Sequence, residues 1–148
     1  TLANGGTSYE LNIIDKVLEN NGNVFFEKTP AIPFQNNFAP ENVEAVQKGM
    51  LMVTSGSRGT ARGIFSLFPI QVAGKTGTAQ QAKNRPDHGI FVGYAPFVNP
   101  EIAVSVVIPF GYGSYVPTIL GKEVIGNYYE LGDLKLGEKT TYYHMLDE

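Results

Sequence analysis

Apolar side chains along the chain switch between helical spacing and strand-like runs, and proline or glycine marks most of the switches. From about Pro40 to Thr54, Val43, Val46, Met50 and Val53 recur at spacings of three and four, so they share one helix face. Glu41, Glu44 and Lys48 fall on the opposite, solvent side. Pro40 suits the first turn of that helix, where no N–H is required. Near Pro117 a second helical pattern begins, with Ile119, Leu120, Val124, Ile125, Tyr128 and Tyr129, and it predicts a final helix covering a sheet face. Residues 89–95 and 101–110 read as strands, and the short loop from Pro96 to Pro100 favours pairing them antiparallel. A third strand is predicted in the later part of the apolar run Ile64 to Ala73, after Pro69. It leads into Gly74-Lys75-Thr76-Gly77-Thr78 and completes a meander.

The N-terminal part has a different texture. Ile13, Ile14, Val17 and Leu18 lie in residues 9–18, and Val24-Phe25-Phe26 in residues 24–27, on either side of the turn sequence Asn20-Asn21-Gly22-Asn23. That arrangement predicts a hairpin. Gly5-Gly6 suits a helix C-terminus or a tight turn, Pro30 and Pro33 interrupt regular structure, and Ser55 to Ala61 reads as a loop. The fold class is therefore α+β, an antiparallel sheet packed by helices. With no internal repeat, one compact unit spanning 1–130 is predicted, followed by a weakly patterned C-terminal tail at 131–148.

Composition narrows the functions open to such a chain. At 148 residues and 43% hydrophobic it can bury a sizeable core. Its net charge of -3 gives no reason to expect a polyanionic partner or nucleic acid. The absence of cysteine removes disulfides, thiolate metal sites and a cysteine nucleophile. The longest apolar stretch, Ile102 to Ile108, is broken by Ser105 and stopped by Pro109, far short of the ~20 residues of a membrane span.

The most distinctive segment is Gly74-Lys75-Thr76-Gly77-Thr78. Gly74-Lys75-Thr76 matches the end of a phosphate-binding loop, but that pattern needs glycine where Pro69 stands, and residues 79–86 make a poor helix start. The alternative is the Lys-Thr-Gly strand of serine acyl-transfer enzymes. A cationic Lys75 beside two hydroxyls can hold a carboxylate, Gly77 leaves room against the strand edge, and an amide just after it can face a developing oxyanion. Four such letters arise by chance in about one chain in 500 of this length. Their neighbours decide the matter.

Ala3-Asn4-Gly5-Gly6, the helix segment Val46 to Val53, Gly59-Thr60-Ala61, Val72 to Gln80, His88 to Pro96 and Pro100 to Val107 occur in the order found in penicillin-binding transpeptidases. Over residues 1–130 the chain resembles that family, most closely its class B members, and the resemblance implies the C-terminal part of a β-lactamase-like transpeptidase fold. It departs from the family at two motifs. Ser8, Ser55, Ser57, Ser66, Ser105 and Ser114 are followed three residues later by Leu11, Arg58, Thr60, Pro69, Ile108 and Pro117, and none has asparagine two residues on. The family's Ser-x-x-Lys and Ser-x-Asn motifs are therefore missing, and the nucleophilic serine is expected on an N-terminal remainder of the same protein.

For the complete enzyme the resemblance implies a peptidoglycan D,D-transpeptidase. It would cleave the D-Ala-D-Ala end of a stem peptide through an acyl-serine, cross-link the cell wall, and bind β-lactam antibiotics. Lys75 and Thr78 are the implied catalytic residues, and Lys75, Thr76, Gly77 and Thr78 the implied substrate-binding set. No cofactor or metal is implied, and the implied location is the extracytoplasmic face of the bacterial cell membrane, with an anchor outside this chain. A D,D-carboxypeptidase, a β-lactam-sensing receptor domain and a non-catalytic homologue share the same features. His88 could lie at a cleft rim, His144 falls in the tail, Arg58 and Arg62 flank a loop, and Asp87 with His88 lacks a third metal ligand at useful spacing.

Overall fold

The computed structural model describes residues 1–131. The predicted tail, with Tyr142, Tyr143 and His144, lies outside them apart from Leu131. In chain order the elements are β1 (Thr7–Ser8), β2 (Lys16–Leu18), β3 (Val24–Glu27), β4 (Phe34–Gln35), α1 (Pro40–Ser55), α2 (Arg62–Phe65), β5 (Ala73–Ala79), β6 (His88–Ala95), β7 (Ile102–Ile108) and α3 (Tyr115–Tyr128). They fall into two compact units, Thr1–Gly49 and the chain from Met50 onward, with α1 beginning in the first and ending in the second.

In the first unit the Gly5-Gly6 pair forms a tight turn, with φ of 75° and 113°. Glycine reaches these left-handed values without a Cβ clash. The Gly6 N–H donates to the Thr1 carbonyl at 2.8 Å. β2 and β3 form the predicted hairpin, although the first strand starts only at Lys16. Its turn is held by Gly22 at φ 87° and by the Asn21 side-chain oxygen, which accepts from the Asn23 N–H at 2.8 Å. β1 pairs antiparallel with β4, an association of two-residue strands that no local periodicity foretells.

In the second unit β5, β6 and β7 form the predicted antiparallel meander in that spatial order, and α3 packs on β6 and β7. Pro117 sits in the first turn of α3, as its fixed φ allows. Ala61, Phe65, Val72, Phe91, Ala95 and Ile125 make the core. The Phe91 ring occupies a slot walled by glycines from three elements. A Cβ would come within 2.8 Å of that ring at Gly74, 3.0 Å at Gly93 and 2.4 Å at Gly121. The apolar run Ile64 to Ala73 divides differently from its sequence reading. α2 takes its first residues, turns Phe65 inward to stack on Phe91 at 5.8 Å between centroids, and delays the strand to Ala73.

Tyr94 is buried among these groups, and its hydroxyl has no hydrogen-bond partner among the described residues. Burial raises the phenol above its ordinary value of about 10, because the phenolate is the poorly solvated form. A raised folded-state pKa contributes stability that is present below pH ~10 and lost as the pH climbs through the folded value. Tyr94→Phe removes the stranded hydroxyl. It is expected to leave stability at pH 7 unchanged or increase it by about 1 kcal/mol, and to flatten the loss above pH ~10. Denaturant titrations at pH 7 and above pH 10 check both.

Candidate functional site

Lys75-Thr76-Gly77-Thr78 lies inside β5, not at a turn. Lys75 pairs with Val92, Thr76 with Phe91, Gly77 with Ile90 and Thr78 with Gly89. β5 is the outermost strand of its sheet, so its second edge has no strand partner among the described residues. Side chains alternate along a strand, which places Lys75 and Gly77 on one face and Thr76 and Thr78 on the other. Lys75 and Thr78 are exposed. The long Lys75 stem bends so that its ammonium donates to the Thr76 backbone oxygen. Gly77 packs closely on its neighbour, since a Cβ there would sit 3.3 Å from the Ile90 Cβ.

Thr76 is 9% exposed, and its hydroxyl lies 2.8 Å from the Thr60 hydroxyl. Thr60 belongs to the Gly59-Thr60-Ala61 segment between α1 and α2. Its sequence neighbours suit a loop, and nothing in them signals that its hydroxyl meets the strand. Thr54 is a second residue hidden from sequence reasoning. At the buried end of α1 it donates to the Val72 carbonyl, which immediately precedes β5. The strand is thus held along one edge by the β6 ladder, at Thr76 by the Thr60 hydroxyl, and at its approach by the Thr54 hydroxyl.

The remaining sequence candidates have other employment. Arg58 and Arg62 are exposed around the same loop. His88 begins β6 opposite Ala79, and its Nδ1 accepts the Phe110 N–H at 3.0 Å, with the two rings 4.9 Å apart. The Arg85 guanidinium stands 5.8 Å from the centre of the Phe110 ring. The Asp87 carbonyl accepts from the Tyr112 N–H at 3.0 Å. Phe110 and Tyr112 both have positive φ, 57° and 62°, so these bonds fix a loop that its own backbone preferences disfavour. A cavity of about 270 Å³ lies between the end of α1, α2 and the approach to β5, lined by Leu51, Thr54, Phe65, Phe68 and Val72 among others. Lys75, Thr76 and Thr78 do not line it.

An exposed cation and hydroxyl beside an open strand edge can do two things. The edge can take an extended peptide as a further strand, and the cation can pair with a carboxylate on it. Neither operation supplies a nucleophile.

Comparison with known proteins bears on this arrangement. Residues 1–125 match the family model described as penicillin binding protein transpeptidase domain. Penicillin-binding protein 2A of Bacillus subtilis is 33% identical over 88% of this chain and 21% of its own length. The peptidoglycan D,D-transpeptidase MrdA of Haemophilus influenzae is 34% identical over 57% of this chain and 15% of its own. Among solved structures, Pseudomonas aeruginosa PBP2 in complex with WCK 5153 is 35% identical with a TM-score of 0.69, covering 86% of this chain and 28% of that one. Penicillin-binding protein 2B of Streptococcus pneumoniae, 24% identical with a TM-score of 0.75 over 88% of this chain and 23% of that one, shares the fold. The chain spans about a fifth or less of the length of the two curated relatives.

Proposed function

The chain belongs to the penicillin-binding protein transpeptidase domain family, and from that membership we propose that it supplies the substrate-binding strand of a peptidoglycan D,D-transpeptidase whose nucleophile lies outside these residues. The observation that carries the proposal is the position of Lys75 and Thr78, exposed on an edge strand that is rigidly paired along its other side. A stem peptide ending in D-Ala-D-Ala lies along the free edge of β5. The Thr76 and Thr78 hydroxyls meet its terminal carboxylate from one face of the strand, and Lys75, on the other face, reaches round the open edge on its long stem to add a charge-assisted hydrogen bond. The Thr78 amide is one donor to the oxyanion that forms when a serine attacks the scissile carbonyl.

That serine belongs to a Ser-x-x-Lys segment of the longer polypeptide, since none of the six serines here fits the pattern. Acylation releases the terminal D-alanine, and an amine from a second stem then resolves the acyl-enzyme to form the cross-link. A β-lactam follows the first step and blocks the second. The whole protein acts at the extracytoplasmic face of the cell membrane. Its membrane anchor is a further part of the proposal, and no helix among the described residues is long and apolar enough to cross a membrane.

Fluorescent penicillin tests the proposal. The full-length protein is expected to take one covalent label, mapping by peptide mass spectrometry to a serine outside residues 1–148, while the 148-residue chain alone takes none. A label on any serine of this chain, or an unlabelled full-length protein, would refute it.

A further inference from the structure

Two hydroxyls tie the end of α1 and the loop after it to the signature strand. Thr54 holds the Val72 carbonyl, and Thr60 meets Thr76 four residues further along. The loop bearing Thr60 has little freedom to place it elsewhere. A Cβ at Gly59 would lie 2.4 Å from the Val53 oxygen and 2.5 Å from that of Met52, and one at Gly56 would lie 2.6 Å from the Met52 oxygen. The Ala61 N–H donates to the Val53 carbonyl at 2.9 Å, and Ala61 is buried. Thr60 is therefore presented to the strand as a rigid extension of α1.

Each hydroxyl has one proton and two acceptor lone pairs. In the Thr60–Thr76 pair, one proton lies between the two oxygens. If Thr76 donates to Thr60, it has no proton left for a ligand. If Thr60 donates to Thr76, the Thr76 proton is free, and the bond it receives polarises it toward a stronger donor. A carboxylate has only acceptors to offer, so its presence beside Thr76 selects the second arrangement.

We propose that Thr60 is a positioning residue, which fixes Thr76 and turns its proton toward the terminal carboxylate of the acyl donor. The inference rests on the transpeptidase reading above. Thr60 touches no substrate atom in this role and acts through Thr76 alone. The same geometry makes Gly59 a requirement of the site, since any side chain there displaces Thr60.

The test uses the full-length protein and a penicillin offered either as the free acid or as its methyl ester. Thr60→Val keeps the shape of the side chain and removes the hydroxyl. It is expected to slow acylation by the free acid about ten-fold, to slow the ester far less, and to shift Tm by no more than about 2 °C. Thr60→Ser is expected to restore the parent preference for the acid. Adding Thr60→Val to Thr76→Val is expected to cause no further slowing. A purely structural role would slow acid and ester alike. That outcome, or a Thr60→Val protein with the parent's acid preference, would overturn the role of Thr60 while leaving the transpeptidase reading intact. A parent protein that forms no adduct would overturn both.

Discussion

Replacing Phe91 with alanine is expected to lower the unfolding free energy by about 3–5 kcal/mol, the usual range for emptying a buried aromatic site. Phe91 is fully buried, stacks on Phe65 and contacts the core residues contributed by α2, α3 and the strand edges. Its neighbours cannot collapse into the void cheaply. The walls are backbone at Gly74, Gly93 and Gly121, and main chain locked in a sheet or helix moves less readily than a side chain. Chemical denaturation checks the magnitude, with Phe91→Leu as the milder companion.

The slot itself supplies a sharper check. Gly121→Ala would ordinarily favour a helix by about 1 kcal/mol. Here the new Cβ would stand 2.4 Å from the Phe91 ring, so overpacking should win and the variant should lose about 1–3 kcal/mol. In a Phe91→Ala background the obstacle is gone, and Gly121→Ala should cost nothing or stabilise. Strictly additive costs would show that ring and glycine do not share the slot.

That slot also marks where the sequence stops being legible. Phe91 reads as one apolar residue of a strand run, and short apolar runs bounded by proline and glycine locate β6 and β7 to within about two residues. Nothing local reveals that Gly74, Gly93 and Gly121, spread over 48 residues, face the same ring. The helix Pro40–Ser55 and the Lys16–Glu27 hairpin were equally visible, since their signals are a 3.6-residue spacing and a turn sequence. The β1–β4 pair and α2 were not. Strands of two residues carry no period, and the four residues of α2 sit inside an apolar run where strand and helix look alike. The site follows the same rule. Lys75-Thr76-Gly77-Thr78 can be read as contiguous letters, and its position on a strand follows from its apolar approach. The hydroxyl of Thr60, however, reaches Thr76 only through the turn that Gly56 and Gly59 permit.

Lys75→Ala in the full-length protein should separate chemistry from folding most cleanly. Lys75 is exposed, and the side-chain hydrogen bond it makes among the described residues, to the Thr76 backbone oxygen, can be replaced by water. Unfolding free energy should therefore change by less than about 0.5 kcal/mol. Acylation by penicillin should nevertheless slow about a hundred-fold, because in the proposed role a charge-assisted contact to the carboxylate and the positive potential beside the oxyanion would be lost together. Lys75→Arg keeps the charge but swaps a compact ammonium for a broad planar fork, so it should recover only part of the rate. Tm and second-order acylation rates on the same preparations provide the check. A Lys75→Ala protein that acylates at the parent rate would mean that the strand binds its substrate without the cation, and the assignment of Lys75 would fall. Equal losses of rate and stability would instead make Lys75 a structural residue, contrary to its exposure.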